Sequence, residues 1–326
     1  MKGKQTVTCI GELIVDFIST SPGFALEEVA TFRRCAGGGG ANVAVGLARL
    51  GVRSAFAGKV GNDAFGRFLI KEMRDASVNT DGIVLDSGHK TRLAFVALDK
   101  RAEREFEFWE KCPADEQLHR SDIDQAMIMR SRIVHIGSFL LLNEPSRSTA
   151  FAVATSCARS GCTLSFDPNL RTSLWVSPAE ARRVLLKMVS LTTILRLNTE
   201  EAYFLTRRRS VEAAAEHLRS LGPSIVVITK AAGGCYLQSA AAAASVPGFS
   251  IRAVDTTGCG DGFLAGLLSS LSNSQTRPEE MNEAELKTVG RFANASGALT
   301  ATRHGVFPAL PTLAQVRKFM KGRKSR

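Results

Sequence analysis

The chain has 326 residues, which is enough for one large α/β domain or two small ones. Hydrophobic residues make up 44% and charged residues 22%, as in ordinary globular proteins, and no apolar run is long enough to span a bilayer. The net charge is +11, but the basic tail 318–326 and the arginines at 207–209 carry much of it, without interleaved aromatic residues. We therefore predict no nucleic-acid partner and no membrane partner.

The seven cysteines include no CxxC pair and no Cys/His spacing typical of a metal site. They are therefore expected to be reduced thiols. The first residues lead directly into a strand-like run, without the features of a signal peptide or of an Arg/Ser-rich transit segment. From these features we expect a cytoplasmic protein.

In chain order, short apolar runs alternate with helical patterns. Strands are predicted at 7–18, 54–58, 93–98, 106–109, 133–136, 163–166, 194–197, 225–229 and 235–238. Helices are predicted at 42–50, 64–76, 146–160, 178–189, 211–221, 261–271, 283–302 and 312–321. From about residue 130 this alternation predicts βαβ units and a doubly wound, mostly parallel α/β sheet, which binds ligands beyond the carboxyl ends of its strands.

Two early segments, 12–34 and 90–111, do not fit a buried central sheet. Residues 104–110 alternate charged and aromatic side chains, which is typical of a strand with one wet face and one covered face. We predict that both segments form a small β-sheet lid over an active site, inserted in a single domain that spans 1–326. An edge hairpin without function is the alternative. The alanine run 240–244 is predicted to be a loop tip.

The segment 255–262 is the most informative part of the sequence. Its small residues Gly258, Cys259 and Gly260 let the backbone turn sharply next to a ligand, and the helix start that follows is an anion site. Asp261 stands at the same place, where it could take a proton from a hydroxyl that attacks a phosphate. That Asp261 is only an N-cap is an equally open alternative.

Four consecutive glycines at 37–40 are followed by Asn42, at the predicted start of a helix. Such a run brings the backbone near a small ligand or into a strained turn, and it lacks the Lys-Ser/Thr of a Walker A loop. Asp16 is predicted to end a strongly apolar strand. It either caps a turn or binds a hydroxylated ligand, and the residues alone favour the turn.

Two more polar segments follow predicted strands. Asn198 and Glu201 lie on one face of an opening helix and could hold Mg²⁺ through water, but a capping box is the alternative that the residues alone favour. Arg171, at the end of the segment 167–171, could neutralise phosphate charge, with a surface ion pair as the alternative.

Together and in this order, these segments resemble the ribokinase-like (pfkB) carbohydrate kinases, and within them the fructokinases most closely. The resemblance runs from 11 to about 311, on segments that include GELIVDF (11–17), GGGGANVAVGLARLG (37–51), DPNLR (167–171), NTEE (198–201) and DTTGCGDGF (255–263). It implies ATP-dependent phosphorylation of the primary hydroxyl of a small sugar, D-fructose to fructose 6-phosphate. A kinase for ribose, 2-keto-3-deoxygluconate or adenosine, or a catalytically silent scaffold, is the alternative.

The resemblance also implies roles for single residues. Catalysis would involve Asp261 as the base, the backbone N–H groups of Gly258, Cys259, Gly260 and Asp261 as an anion hole, and Arg171. The sugar ligands would be Asp16, Gly38, Gly39 and Asn42. Mg²⁺ and phosphate would be organised by Asn198 and Glu201, and the ATP site would be lined by Thr229, Lys230, Gly234 and Asn294. A potassium site would involve Asp255, Thr257, Thr300, Arg303 and Gly305.

The chain departs from the family pattern at several positions. Cys259 stands where such kinases usually have Ala, which keeps the backbone N–H but adds a thiol. Gly39 and Gly40 replace an Ala-Pro pair common in fructokinases, which loosens the sugar loop, and Ala309 replaces a residue that can bind potassium through a hydroxyl.

The aromatic residues of 105–110 cannot all be covered by a single-layered lid, which predicts a homodimer through the lid.

Overall fold

The structure is a computed structural model, and it describes residues 6–21, 23–98, 104–109 and 111–322. Its strands are β1 (Thr6–Ile10), β2 (Ile14–Ser19), β3 (Phe32–Gly37), β4 (Arg53–Gly61), β5 (Asn79–Asp86), β6 (Leu93–Leu98), β7 (Arg104–Phe108), β8 (Ser131–Gly137), β9 (Thr163–Asp167), β10 (Ile194–Asn198), β11 (Ile225–Thr229), β12 (Cys235–Gln238) and β13 (Ala243–Val246). Its α-helices are α1 (Gly39–Arg49), α2 (Ala64–Asp75), α3 (Gln125–Arg130), α4 (Ser146–Ser160), α5 (Pro178–Val189), α6 (Thr199–Thr206), α7 (Val211–Ser220), α8 (Cys259–Asn273), α9 (Glu283–Thr300) and α10 (Leu313–Lys321).

The large sheet has the strand order β13-β12-β11-β10-β9-β8-β1-β4-β5. Neighbouring strands are parallel from β11 to β5, whereas β12 and β13 pair antiparallel at one edge. Parallel neighbours need crossover connections, and here helices supply them. The predicted doubly wound, mostly parallel sheet is confirmed.

The core lies on both faces of this sheet. Successive residues of β1 enter different clusters, because side chains alternate along a strand: Val7 and Cys9 pack in one buried cluster and Ile10 in the other. The first cluster also contains the apolar faces of α1, α8 and α9, and α8 packs directly against both of its helical neighbours. This packing fixes the N-terminus of α8 beside the ends of β10 and β11.

A separate small sheet has the order β3-β2-β6-β7, with only β2 and β6 parallel. Its register places Asp16, Ala94 and Phe108 in one row across β2, β6 and β7. The ring of Phe108 meets that of Phe139, from the main body, at a centroid distance of 5.8 Å. The predicted small sheet is thus confirmed, and its row with Asp16 turns toward the large sheet. Parts of the predicted lid, 22, 99–103 and 110, lie outside the described residues, as do 1–5 and the end of the basic tail, 323–326.

Some predicted boundaries are wrong. The single strand predicted at 7–18 is two strands in different sheets, because the chain leaves the large sheet at Gly11, where the backbone N–H donates to the carbonyl of Ala57. Helices predicted to start at 42 and 261 start at Gly39 and Cys259. Two of the five residues of the alanine run predicted as a loop tip belong to β13, which was not predicted, and neither were β3, β5 and α3.

Among the helices of the described residues, none combines the length and the apolar character that crossing a lipid bilayer requires.

Candidate active site

The N-terminus of α8 is the centre of the candidate site. Gly258 is the N-cap with φ +72°, and a Cβ there would lie 2.7 Å from Cγ1 of Val306, so this position requires glycine. The N–H of Cys259 donates to the carbonyl of Thr256 at 3.3 Å. The N–H groups of Gly260 and Asp261 lie in the first turn, where a helix offers no carbonyl partner, so of the predicted anion hole they are the groups that stay available to an anion.

Asp261 lies inside the first turn of α8, not at its N-cap, so the capping alternative is wrong. Its Oδ2 accepts a hydrogen bond of 2.7 Å from Nδ2 of Asn42. Burial raises the pKa of Asp261 to about 6, the hydrogen bond from Asn42 opposes that rise, and the negative charge of Asp167 adds to it. Asp261 is therefore mostly charged at neutral pH and able to accept a proton.

The glycine run forms a tight loop at the start of α1. Gly38 has φ +108°, and a Cβ there would clash with the carbonyl oxygen of Glu12. The N–H of Gly39 donates to Oε1 of Glu12. Asn42, predicted to start the helix, lies in its first turn, from which its side chain reaches Asp261.

Asp16 lies within β2 of the small sheet, so the prediction that it ends a strand is wrong. Its carboxylate lies directly against Gly37, where any Cβ would clash with Oδ2. Burial and the negative charge of Asp261 raise the pKa of Asp16 to about 7. The two carboxylates thus belong to one electrostatic site, between the small sheet and the N-terminus of α8.

A cavity of about 430 Å³ opens beside the same helix start. Five residues predicted for the phosphate and ATP sites line it together: Thr229, Gly234, Cys259, Gly260 and Asn294. Its other walls include the apolar side chains of Phe249, Ile251 and Ala298. Asn294 uses its Nδ2 to donate to the carbonyls of Val246 and Pro247, so its amide shapes the wall.

Two predicted residues are turned away from this cavity. Nζ of Lys230 donates to Oγ of Ser245 at 2.9 Å, and Lys230 does not contribute to the cavity wall. The exposed side chain of Arg171 donates through Nη1 to Oδ1 of Asn169 at 2.9 Å, within its own loop. Its positive charge nevertheless helps to hold down the pKa of Asp261.

Arg196 was missed by the sequence analysis. It is buried, and it donates to Oδ2 of Asp167 at 2.8 Å and to Oγ1 of Thr229 at 3.0 Å. A Cβ on Gly260 would lie 3.1 Å from both of its terminal nitrogens, so the guanidinium packs directly under the anion hole. An arginine within the apolar strand β10, shortly before Asn198, was the signal that could have revealed it.

Asn198 and Glu201 form the capping box that was the alternative interpretation. Oδ1 of Asn198 accepts from the N–H of Glu201 at 2.9 Å, and Oε2 of Glu201 accepts from the N–H of Asn198 at 2.8 Å. Oε1 of Glu201 accepts from the N–H of Leu170 at 2.7 Å. Each carboxylate oxygen keeps a second lone pair, so the box is also compatible with binding a water of a hydrated Mg²⁺.

Two residues of the predicted potassium site, Thr257 and Gly305, are bound by a third, Asp255. Its Oδ1 accepts from the N–H and the hydroxyl of Thr257, and its Oδ2 accepts from the N–H of Gly305 at 3.1 Å. The carbonyl of Thr300 accepts from the N–H of Arg303. Since no cluster of three or more His, Cys, Asp or Glu suited to a metal occurs in the described part of the chain, any cation here would depend mainly on carbonyl oxygens.

Comparison with known proteins gives this site a family. The description "pfkB family carbohydrate kinase" matches residues 4–313. The chain belongs to the pfkB family of carbohydrate kinases. The predicted family and the predicted ribokinase-like fold are thereby confirmed, and the enzyme is a sugar kinase.

Fructokinases are prominent among the similar proteins. Probable fructokinase-6, chloroplastic, of Arabidopsis thaliana is 40% identical over 94% of this chain and 80% of its own length. A double mutant of Vibrio cholerae O395 fructokinase, bound to fructose, ADP and potassium ion, superposes with a TM-score of 0.86 at 34% identity, covering 97% of this chain and 98% of that one. Fructokinase of Xylella fastidiosa with bound ATP superposes with a TM-score of 0.89 at 32% identity, covering 98% of this chain and 99% of that one. Since one relative is chloroplastic by name, the cytoplasmic location stays a prediction.

Proposed function

We propose that this kinase transfers the γ-phosphate of ATP to the primary 6-hydroxyl of D-fructose, giving fructose 6-phosphate and ADP. The observation that carries this is the contact between Asn42 and Asp261, which brings the sugar loop and the base together at a helix N-terminus. Fructose as acceptor is supported by the similarity to the plant and bacterial fructokinases.

The sugar would lie between the small sheet and the start of α8. Asp16 offers two acceptor oxygens for sugar hydroxyls from the small-sheet side. Asn42 offers its Oδ1, which is buried and has no hydrogen-bond partner in the described residues. With Nδ2 of Asn42 already bound to Asp261, this free oxygen is available to a hydroxyl beside the reacting one.

Asp261 would take the proton from the 6-hydroxyl of the sugar. As it does so, the oxygen of that hydroxyl would form a bond to the γ-phosphorus, and the bond between the γ-phosphorus and the β–γ bridging oxygen would break. The electron pair of the broken bond leaves with ADP. The N–H groups of Gly260 and Asp261, at the positive end of the dipole of α8, would stabilise the transferred group, and Arg196 adds a positive charge beneath them.

The cavity of about 430 Å³ would hold ATP, with Phe249 and Ile251 on its apolar wall and the phosphates at the start of α8. Mg²⁺, when bound, would neutralise charge on the phosphates, and Asn198 and Glu201 would hold it through water. Potassium would bind at the loop that Asp255 fixes, as the similar Vibrio cholerae structure contains that ion. The small sheet would act as a lid of a single domain, excluding water from the sugar.

Turnover of ATP by the purified protein tests this function. D-fructose, ribose, 2-keto-3-deoxygluconate and adenosine would be compared as acceptors at fixed MgATP. We expect the highest kcat/KM with fructose. A higher value for another acceptor would overturn the fructose assignment, and no turnover with any acceptor, in a protein that still binds ATP, would favour the catalytically silent scaffold.

A further inference from the structure

One carboxylate oxygen of Glu12 has no hydrogen-bond partner among the described residues and no role in the proposed mechanism. The residue lies between β1 and β2 and is only 3% exposed. One oxygen, Oε1, accepts the N–H of Gly39 and so fixes the sugar loop. The other, Oε2, is buried and has no hydrogen-bond partner among the residues that the structure describes. A buried acceptor of this kind is costly to the fold unless a ligand or a water molecule satisfies it.

The residue that carries this unpaired oxygen lines a small cavity. Glu12 lines a cavity of about 10 Å³ together with His135, Gly137, Asn169 and Asp261. A cavity of that size holds about one oxygen atom with its hydrogens. Because Asp261 is part of the same lining, whatever fills the cavity lies beside the acceptor hydroxyl of the proposed reaction.

With the proposed function as the premise, we propose that Oε2 of Glu12 accepts a hydrogen bond from one secondary hydroxyl of the bound sugar. Glu12 is then a specificity-determining residue: it selects acceptors that carry a hydroxyl at that carbon. A sugar without this hydroxyl would bury the carboxylate oxygen unpaired, and sites built to bind a hydroxyl reject analogues that lack it.

The electrostatics of the site agree with a hydroxyl donor. Burial raises the pKa of Glu12 to about 7, and the negative charges of Asp115 and Asp261 contribute to the rise. A donated hydrogen bond stabilises the charged carboxylate, so sugar binding and ionisation of Glu12 favour each other. A metal cation is a poorer occupant, because about 10 Å³ leaves no room for the several oxygens that it would keep around it.

The test pairs Glu12→Gln with fructose analogues that each lack one hydroxyl other than the 6-hydroxyl. Glutamine can still accept the N–H of Gly39, but it places an amide where Oε2 was. We expect one analogue to lose at least about tenfold in kcat/KM with the wild type, the range for one hydrogen bond to a charged group. Relative to the wild type, the Glu12→Gln enzyme should lose a similar factor in kcat/KM with fructose. With the analogue that lacks the hydroxyl, its kcat/KM should equal that of the wild type.

Two variants serve as controls. Glu116→Gln also removes a buried carboxylate, one that pairs with Arg92 and does not line the cavity, and it should leave the ranking of the analogues unchanged. Gly137→Ala adds a methyl group about 3.6 Å from Oε2, which narrows the cavity. This variant should lower kcat/KM more for fructose than for the analogue that lacks the selected hydroxyl.

Three results would overturn the role of Glu12. The first is that removal of any single hydroxyl leaves kcat/KM of the wild-type enzyme nearly unchanged, and this measurement does not depend on the folding of a variant. The second is that Glu12→Gln lowers kcat/KM equally for fructose and for every analogue, as expected for a purely structural residue. The third is a penalty for the missing hydroxyl that persists in Glu12→Gln, as expected if the cavity holds only water. If the wild type prefers another sugar, the fructose assignment fails, while the deoxy analogues of that sugar still test Glu12.

Discussion

Nδ2 of Asn42 donates to Oδ2 of Asp261 at 2.7 Å, although the two residues lie 219 positions apart in the chain. Asn42 stands in the first turn of α1 and Asp261 in the first turn of α8, and these two helices pack against each other. The glycine loop at the start of α1 and the predicted anion hole at the start of α8 are therefore held against each other. Proximity of this kind is the main contribution that a kinase makes to phosphoryl transfer.

Asp261→Asn should leave the fold and ATP binding nearly intact and lower kcat by at least ~10²-fold, the usual loss for a general base. The amide is isosteric with the carboxyl group but accepts no proton. Steady-state kinetics with fructose measure kcat, and a binding titration with ADP serves as the control for the nucleotide site. A variant that retains more than half of the wild-type kcat would show that Asp261 is not the base.

The rate should fall on the acidic side near pH 6, because Asp261 must be charged to accept the proton and its pKa is about 6. The hydrogen bond from Asn42 favours the charged form, so Asn42→Ala should raise this pKa and move the acidic limb to higher pH. The pH dependence of kcat/KM for fructose, which reports the ionisable groups of the free enzyme, is the measurement. The position of the limb is compared and not its height, since Asn42 is itself a proposed sugar ligand.

Asp16 and Glu12 each have a pKa of about 7 and could add limbs of their own to the profile. The same two profiles are therefore recorded in a background that carries Asp16→Asn and Glu12→Gln, from which both carboxyl groups are absent. When Asn42 is replaced in this background, the acidic limb should move to higher pH. If it stays in place or moves to lower pH, Asn42 does not lower the pKa of Asp261 as the structure indicates.

Much of this site could be predicted from short segments, because its chemistry sits where strands end and helices begin. The turn at Gly258 and the helix start that carries Asp261 were predicted in this way, since a glycine turn before a helix is a local feature of the sequence. The break at Gly11 was not found, because the apolar run continues across it and periodicity does not show which sheet a residue joins. The role of Arg196 depends on partners from three other segments, and no local pattern contains such partners.

Asp16→Ala should mainly weaken sugar binding. Asp16 lies in the small sheet and is not among the residues that line the large cavity, so the KM for fructose should rise about tenfold or more while that for ATP changes little. Ser19→Ala, on the same strand, controls for disturbance of β2. Equal effects on the two substrates would indicate a structural role for Asp16.

The small sheet should also carry a homodimer interface. Trp109, whose side chain alternates with that of Phe108, is 66% exposed and Phe24 in the same region is 48% exposed, so two large apolar side chains face solvent in a single chain. Each aromatic side chain can bury ~150–250 Å², and pairing two small sheets about a two-fold axis would cover them. The remaining face, with Asp16 and Phe108, is then left to close over the sugar.

Light scattering at micromolar protein, with and without fructose, measures the mass directly. We expect a dimer for the wild type and a monomer for Trp109→Ser, whereas Val176→Ser, which removes an apolar side chain that is 91% exposed outside the small sheet, should remain dimeric. A wild type of monomer mass in both conditions would rule out the interface. Closure of the lid is a separate matter: fructose should then protect the small sheet from proteolysis whether or not the chain dimerises, because closure orders backbone that the open site exposes.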